Sequence, residues 1–148
     1  MMPPHIVLRV VSKLLIPFIV VFGFYVHFHG DYSPGGGFQA GVILAAAVIL
    51  YALIFGVDAA KKAVPPSWVR IGMALGGLIY AGTGIVTLLM GGDFLDYDVL
   101  HPDLSHKSGQ HIGIMCVELG VLTTVTCVML AIFYAFAGRT PDISDEDW

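Results

Sequence analysis

Charged residues are scarce in this chain, at 12% of its 148 residues, while 57% are hydrophobic and the mean hydropathy is +0.83. Soluble domains carry about 25% charged residues. A soluble domain of this length could not bury so much apolar surface, so the bilayer must be the solvent for most of it. The composition therefore predicts an integral membrane protein.

Several other features are missing. The seven Lys and Arg residues are scattered, with no basic patch interleaved with aromatics, which argues against nucleic acid as a partner. Cys116 and Cys127 fall in one apolar run, where eleven residues of helix separate them by roughly 16 Å, too far for a disulfide. The sequence contains no Ser-His-Asp pattern, HExxH, Walker motif or GxGxxG. We expect no catalytic chemistry and no cofactor.

The chain does contain four apolar runs, each long enough to cross about 30 Å of hydrocarbon as a helix. They predict an all-α membrane protein with four transmembrane helices in one domain, residues 1–138. An acidic cytoplasmic tail, 139–148, is expected to be disordered. The spans are predicted at about 10–28, 38–57, 69–90 and 112–136.

Basic residues cluster on one side of the predicted spans. Six of the seven would lie on that side, and only Lys107 would lie on the other. Because cytoplasmic loops carry an excess of Lys and Arg, this distribution predicts that both termini are cytoplasmic. The six residues are Arg9, Lys13, Lys61, Lys62, Arg70 and Arg139.

Glu118 is the only acidic residue in the last apolar run. A carboxylate at such depth costs about 2.5 kcal/mol or more, and membrane proteins place such groups toward other helices, water or a travelling ion. His111 precedes it by seven residues, on nearly the same helix face and roughly 10 Å away. Two hypotheses stand with equal weight. In one, His111 and Glu118 line a polar path for protons or Na⁺; in the other, Glu118 only holds its helix against a neighbouring group.

The segment His29–Gly41, HGDYSPGGGFQAG, joins the first two predicted spans. Pro34 stops the turn, and three consecutive glycines permit positive φ and close backbone approach. Phe38 and Gln39 then begin the second helix, where docking of another subunit is the favoured role and ion contact the alternative. The nearby histidines, His27 and His29, are interpreted as interfacial rather than as metal ligands, since residues i and i+2 do not share a helix face.

This segment resembles the signature of the B subunit of the multisubunit Na⁺/H⁺ antiporters of the Mrp or Mnh type. In that family a helix ends in an HG pair, and a PGGGF loop opens the second span. The segment beginning Glu118-Leu119-Gly120-Val121 resembles a second signature, an acidic residue followed by a Gly-Val step. The likeness covers nearly the whole chain except the acidic tail.

The resemblance implies a small subunit of a large complex in a bacterial or archaeal cytoplasmic membrane, which exchanges internal Na⁺ for external protons. Its partners would be the C-terminal region of the large A subunit, the small C subunit and a D-type subunit. The alternatives are a sodium-translocating subunit of a membrane-bound hydrogenase-like respiratory complex and a purely structural subunit. Glu118 is also a candidate for transient Na⁺ binding. The candidate residues for the ion path or for assembly are Glu118, His111, His29, Pro34, Gly35, Gly36, Gly37, Phe38 and Gln39.

Overall fold

All four apolar runs form long helices in the computed structural model, which describes residues 6–30, 34–101 and 106–139. Within these ranges the regular secondary structure is entirely helical, and four helices are long and apolar enough to cross a membrane. The predicted all-α, four-span fold is confirmed. The elements are α1 (Ile6–Phe28), α2 (Gly37–Phe55), the short α3 (Val57–Ala63), α4 (Pro66–Leu89), a 3-10 turn (Tyr97–Leu100) and α5 (His106–Ala137).

Individual glycine and proline residues determine where the helices begin and end more closely than the limits of the apolar runs do. α2 ends at Phe55 because Gly56 adopts φ 97°, a left-handed conformation that interrupts the helix before α3. α4 begins at Pro66, since proline is favoured at the first helical position, where its missing N–H has no intrahelical partner. α5 begins well before its apolar run. Apart from Arg139, the predicted acidic tail lies outside the described residues.

The spans pack side by side in the order α1, α2, α5, α4. α5 packs extensively against both α2 and α4, and α1 packs mainly against α2. Small residues make the close approaches: a Cβ on Gly41 would lie 2.9 Å from the Leu122 carbonyl oxygen of α5, and one on Gly23 would lie 3.0 Å from Leu44. Such contacts allow helices to associate in lipid, where apolar burial contributes little.

Two further pairs of glycines pack differently from each other. Gly72 and Gly76 of α4 lie directly against α5, as small residues four apart predict. Gly109 and Gly113 of α5 do not face another span: Tyr97, in the 3-10 turn, occupies the space beside both. The first turns of α5 therefore bind the loop that precedes them.

A compact core lies at the end of the bundle that contains α3. There the Tyr134 hydroxyl of α5 donates a hydrogen bond of 3.1 Å to the Val64 carbonyl, which ties α3 to α5. Over the rest of the surface many large apolar side chains are exposed, as expected for helices facing lipid. The buried core residues are Ala45, Ala52, Ala60, Val69, Leu130 and Tyr134.

Candidate functional site

The glycines between α1 and α2 bring the connecting backbone against the last turns of α1. Gly36 donates its N–H to the Val26 carbonyl at 3.3 Å, and its φ of 122° lies where glycine is strongly preferred. A Cβ on Gly35 would lie only 2.7 Å from that same Val26 oxygen. The predicted close backbone approach is confirmed at Gly35 and Gly36, and the predicted positive φ is confirmed at Gly36 alone of the three glycines.

The Glu118 carboxylate of α5 lies against this loop. A Cβ on Gly30 would stand 3.0 Å from both carboxylate oxygens, and one on Gly36 would stand 2.8 Å from Oε1. A Cβ on Gly37 would overlap the Glu118 backbone, whose carbonyl carbon is 2.9 Å away. We call the space bounded by Gly30, Gly36 and Gly37 the glycine niche. The two segments that the sequence singled out separately thus form one site.

The glycine niche also lies at the N-terminus of α2, where Gly36 is the N-cap residue. The first N–H groups of a helix have no intrahelical partners and carry a partial positive charge. A carboxylate beside them is stabilised by about 0.3–1 kcal/mol, and by up to about 2 kcal/mol where it is partly buried. Glu118 is half-buried. Backbone dipoles therefore favour an anionic side chain at this position.

The other predicted site residues of the loop lie around the glycine niche. Gln39 is exposed, and its Oε1 lies 3.7 Å from the Cβ position on Gly36, so its amide borders the same glycine as the carboxylate. Pro34 is exposed in the loop, and Phe38 is 60% exposed at the start of α2. Of these three, only Gln39 borders the glycine niche, while Pro34 and Phe38 are exposed.

The two predicted histidines occupy more peripheral positions. His111 is exposed on α5, two turns before Glu118 and about 10 Å from it along the helix axis. His29 is exposed at the end of α1 and stacks on Tyr25, with ring centroids 4.2 Å apart. Both therefore lie on the outer surface of the chain at the end of the bundle that holds the niche.

Sequence reasoning missed His27. Its side chain is only 4% exposed, and its Nδ1 has no hydrogen-bond partner within the described part of the chain. Its carbonyl accepts the N–H of Gly30 at 3.3 Å, so it lies one turn from the glycine niche. His27 is therefore buried within the chain, an environment that its interpretation as an interfacial histidine did not anticipate. A signal was available in the sequence, because Ser12, Gly23 and His27 are small or polar residues in a mostly apolar helix, and these three form its buried face.

Four apolar helices, glycine-mediated packing and one half-buried carboxylate against a glycine loop define a small multi-pass membrane protein built to pack closely. Comparison with known families makes this assignment more specific. Residues 7–131 match the family described as "Domain related to MnhB subunit of Na+/H+ antiporter". The chain belongs to this MnhB family, and the resemblance drawn from its two signatures is confirmed.

Individual relatives agree with the family assignment. A Staphylococcus epidermidis protein named "Putative antiporter subunit mnhB2" is 35% identical over 136 residues, covering 90% of this chain and 94% of that protein. Proteins of the same name from Staphylococcus haemolyticus and Staphylococcus aureus (strain Newman) are 36% and 35% identical over 134 residues, with the same coverage. The similarity therefore extends over nearly the full length of both chains.

Proposed function

We propose that this chain is a small accessory membrane subunit of a multisubunit Na⁺/H⁺ antiporter, in which Glu118 and the glycine niche line part of the cation path. The family match and the names of its relatives support the antiporter assignment. The observation that carries the site is the Glu118 carboxylate held against the loop between α1 and α2. The chain contributes no catalytic chemistry of its own.

A cation at Glu118 would need ligands from more than one source. In the described ranges no three His, Cys, Asp or Glu side chains lie close enough together to hold a metal ion. Hard cations such as Na⁺ are bound by oxygen atoms of carboxylates, amides, backbone carbonyls and water. Glu118, the Gln39 amide oxygen and the loop carbonyls are oxygen donors of this kind. The remaining ligands would come from water or from adjoining subunits.

The basic residues at one end of the bundle support a proposed orientation of the chain in the membrane. Arg9 and Lys13 lie beside Phe55 at the end of α2, and Lys61 lies beside Gly138 after α5, so these cations share one end of the bundle. With this end in the cytoplasm of a bacterial or archaeal cell, both termini are inside. The glycine niche then faces the external side, with His111 at its mouth. The large A subunit, the small C subunit and a D-type subunit are the proposed neighbours.

Replacing Glu118 with neutral residues of matched size tests the proposal in the assembled complex. Glu118→Gln keeps the length of the side chain and one carbonyl oxygen, so we expect the complex to assemble. We expect Na⁺-dependent proton exchange in membrane vesicles to fall by about tenfold or more, because contacts to a charged group contribute about 1.5–3 kcal/mol. Glu118→Asp, which keeps the charge, should retain more exchange than Glu118→Gln.

Thr123→Val is the matched control on the same helix. The Thr123 hydroxyl donates to the carbonyl of Leu119 within α5, so its loss removes a polar group without changing the glycine niche. We expect normal assembly and normal exchange. Assembled Glu118→Gln complexes that exchange as fast as the wild type would refute the role in the cation path.

A second candidate role, as a purely structural helix anchor, is favoured by one observation: the Glu118 backbone packs directly on Gly37. In that role the carboxylate acts only by stabilising the N–H groups at the N-terminus of α2, which have no intrahelical partners. The two roles predict different results, because a structural anchor lowers assembly and exchange in proportion. A cation ligand lowers the exchange of each assembled complex and raises the Na⁺ concentration needed for half-maximal rate.

A further inference from the structure

Two basic side chains near the start of α1 share one aromatic ring. Arg9 Cζ lies 6.0 Å and Lys13 Nζ 5.4 Å from the centroid of the Phe55 ring. Both distances fit cation–π contact, which holds the two cations near each other. No carboxylate in the described parts of the chain pairs with either one. Since like charges four residues apart on a helix repel, an anion between them would stabilise this end of α1.

An apolar groove begins beside these cations. The helix face that carries Arg9 and Lys13 continues at spacings of three and four residues through Ile16 and Val20, which line one wall of the groove. Its volume is about 210 Å³. Val48 and Tyr51 of α2 line the facing wall, and Ala63 and Val64 close one end.

The cations and the groove form one continuous surface. The Tyr51 ring, which lines the groove, lies 4.9 Å from the Phe55 ring beneath the cations, measured between centroids. From Arg9 to Val20 the helix rises by about 16 Å. One leaflet of a bilayer contributes about half of the 30 Å hydrocarbon thickness. The cations and the groove together therefore extend over about the thickness of one leaflet, with the positive charge at one end.

We propose that this surface binds an anionic phospholipid, with its phosphate between Arg9 and Lys13 and an acyl chain in the groove. Basic pockets between transmembrane helices recognise anionic headgroups, and apolar grooves accept acyl chains. The position of the charges at one end of the groove favours a lipid, because an anionic phospholipid presents its charged headgroup and its apolar chains in the same order. The lipid lies in the leaflet on the side of the chain termini.

Lipid exchange on the purified full-length chain tests the proposal. The delipidated chain in mild detergent is titrated with phosphatidylglycerol or with phosphatidylcholine of the same acyl chains, and bound lipid is counted by native mass spectrometry. We expect phosphatidylglycerol to bind about 30-fold more tightly, because each basic side chain contributes a factor of about five at a membrane surface. Raising the salt concentration should reduce this preference.

Variants separate the headgroup site from the groove. Arg9→Gln with Lys13→Gln should abolish the headgroup preference and leave weak binding of both lipids. Arg70→Gln with Arg139→Gln removes the same charge from exposed positions near α4 and α5, on the far side of α2, and should keep the preference. Ala63→Leu, at an exposed position in the groove lining, should weaken binding of both lipids equally.

Photocrosslinking in the assembled complex tests the proposal independently. A photoreactive phenylalanine analogue at the exposed Ala63 should crosslink to phospholipid. Crosslinking to another subunit instead would overturn the proposal, as would equal affinity of the wild-type chain for the two lipids. A preference that survives loss of both Arg9 and Lys13 would also refute it. None of these results depends on Glu118 or on transport.

Discussion

Replacing either of two adjacent glycines of α4, Gly76 or Gly77, with alanine should affect the stability of the folded chain in opposite directions. A Cβ on Gly76 would lie 2.6 Å from the Gly120 carbonyl oxygen and 2.7 Å from the Thr124 nitrogen of α5. A Cβ on Gly77 would meet no atom within 4 Å. Alanine at either position improves helix propensity by about 0.5–1 kcal/mol relative to glycine. This propensity gain is common to both variants and cancels when they are compared.

The magnitude follows from the contact that Gly76→Ala would create. Ordinary contact begins near 3.4 Å, so the two helices must separate by about 0.8 Å, and the obstructing atoms are backbone atoms that cannot rotate away. Overpacking of this kind costs about 1–3 kcal/mol. We expect Gly77→Ala to match or exceed the wild-type stability. Gly76→Ala should be less stable than Gly77→Ala by about 1–3 kcal/mol.

Unfolding of the isolated chain in mixed micelles, followed by circular dichroism, measures this difference. Thiol labelling gives a second readout, because the Cys127 sulfur lies against Gly72 in the same interface between α4 and α5. In a Cys116→Ser background, Gly76→Ala should accelerate labelling of Cys127 and Gly77→Ala should not. If Gly76→Ala proves as stable as Gly77→Ala, the inference that this backbone contact sets the distance between α4 and α5 is wrong.

Two further predictions concern the loop after α4. Thr87 is buried, and its hydroxyl accepts the Leu95 N–H at 3.0 Å. Thr87→Val leaves that N–H without its acceptor, so it should destabilise the folded chain by about 1–3 kcal/mol. Thr83→Val is the control in the same unfolding assay, because the Thr83 hydroxyl donates to the Ile79 carbonyl within α4. Burial, with a smaller contribution from Tyr80, raises the pKa of the Tyr97 hydroxyl above its ordinary 10.0. The folded chain therefore holds this proton more tightly than the unfolded chain, and the resulting stability is complete below about pH 10 and falls as pH rises through the folded pKa. Difference titration of tyrosinate absorbance between the wild type and Tyr97→Phe should show a late-titrating group, and a group that titrates at its ordinary pKa would contradict the assignment.

The helical spans could be predicted from hydropathy because a bilayer demands long apolar helices and little else. The helix ends could not be predicted as well, since they depend on single residues. Gly56 ends α2 early, and the polar first turns of α5 stay helical because Gly109 and Gly113 pack on Tyr97. The helix α3 was expected to be part of a connection. It is too short for its periodicity to be recognised.

The candidate site could be predicted residue by residue but not as an assembly. Glu118 stood out by its charge, and the glycine loop by its composition. The sequence does not indicate that α5 packs beside α2. The contact between Glu118 and the glycine loop could therefore not be predicted. The burial of His27 could not be derived from its position near the end of the first predicted span. The packing of α1 on α2 instead buries the face of α1 that carries His27.

The contact between Glu118 and the glycine niche also has a consequence for biosynthesis. The α1–α2 hairpin leaves the ribosome long before α5, so the niche exists in the membrane before its carboxylate arrives. An acidic residue within a span makes insertion of that helix on its own less favourable. We therefore expect the hairpin to receive α5 on insertion, and a chain synthesised without α1 and α2 should deliver α5 to the membrane inefficiently.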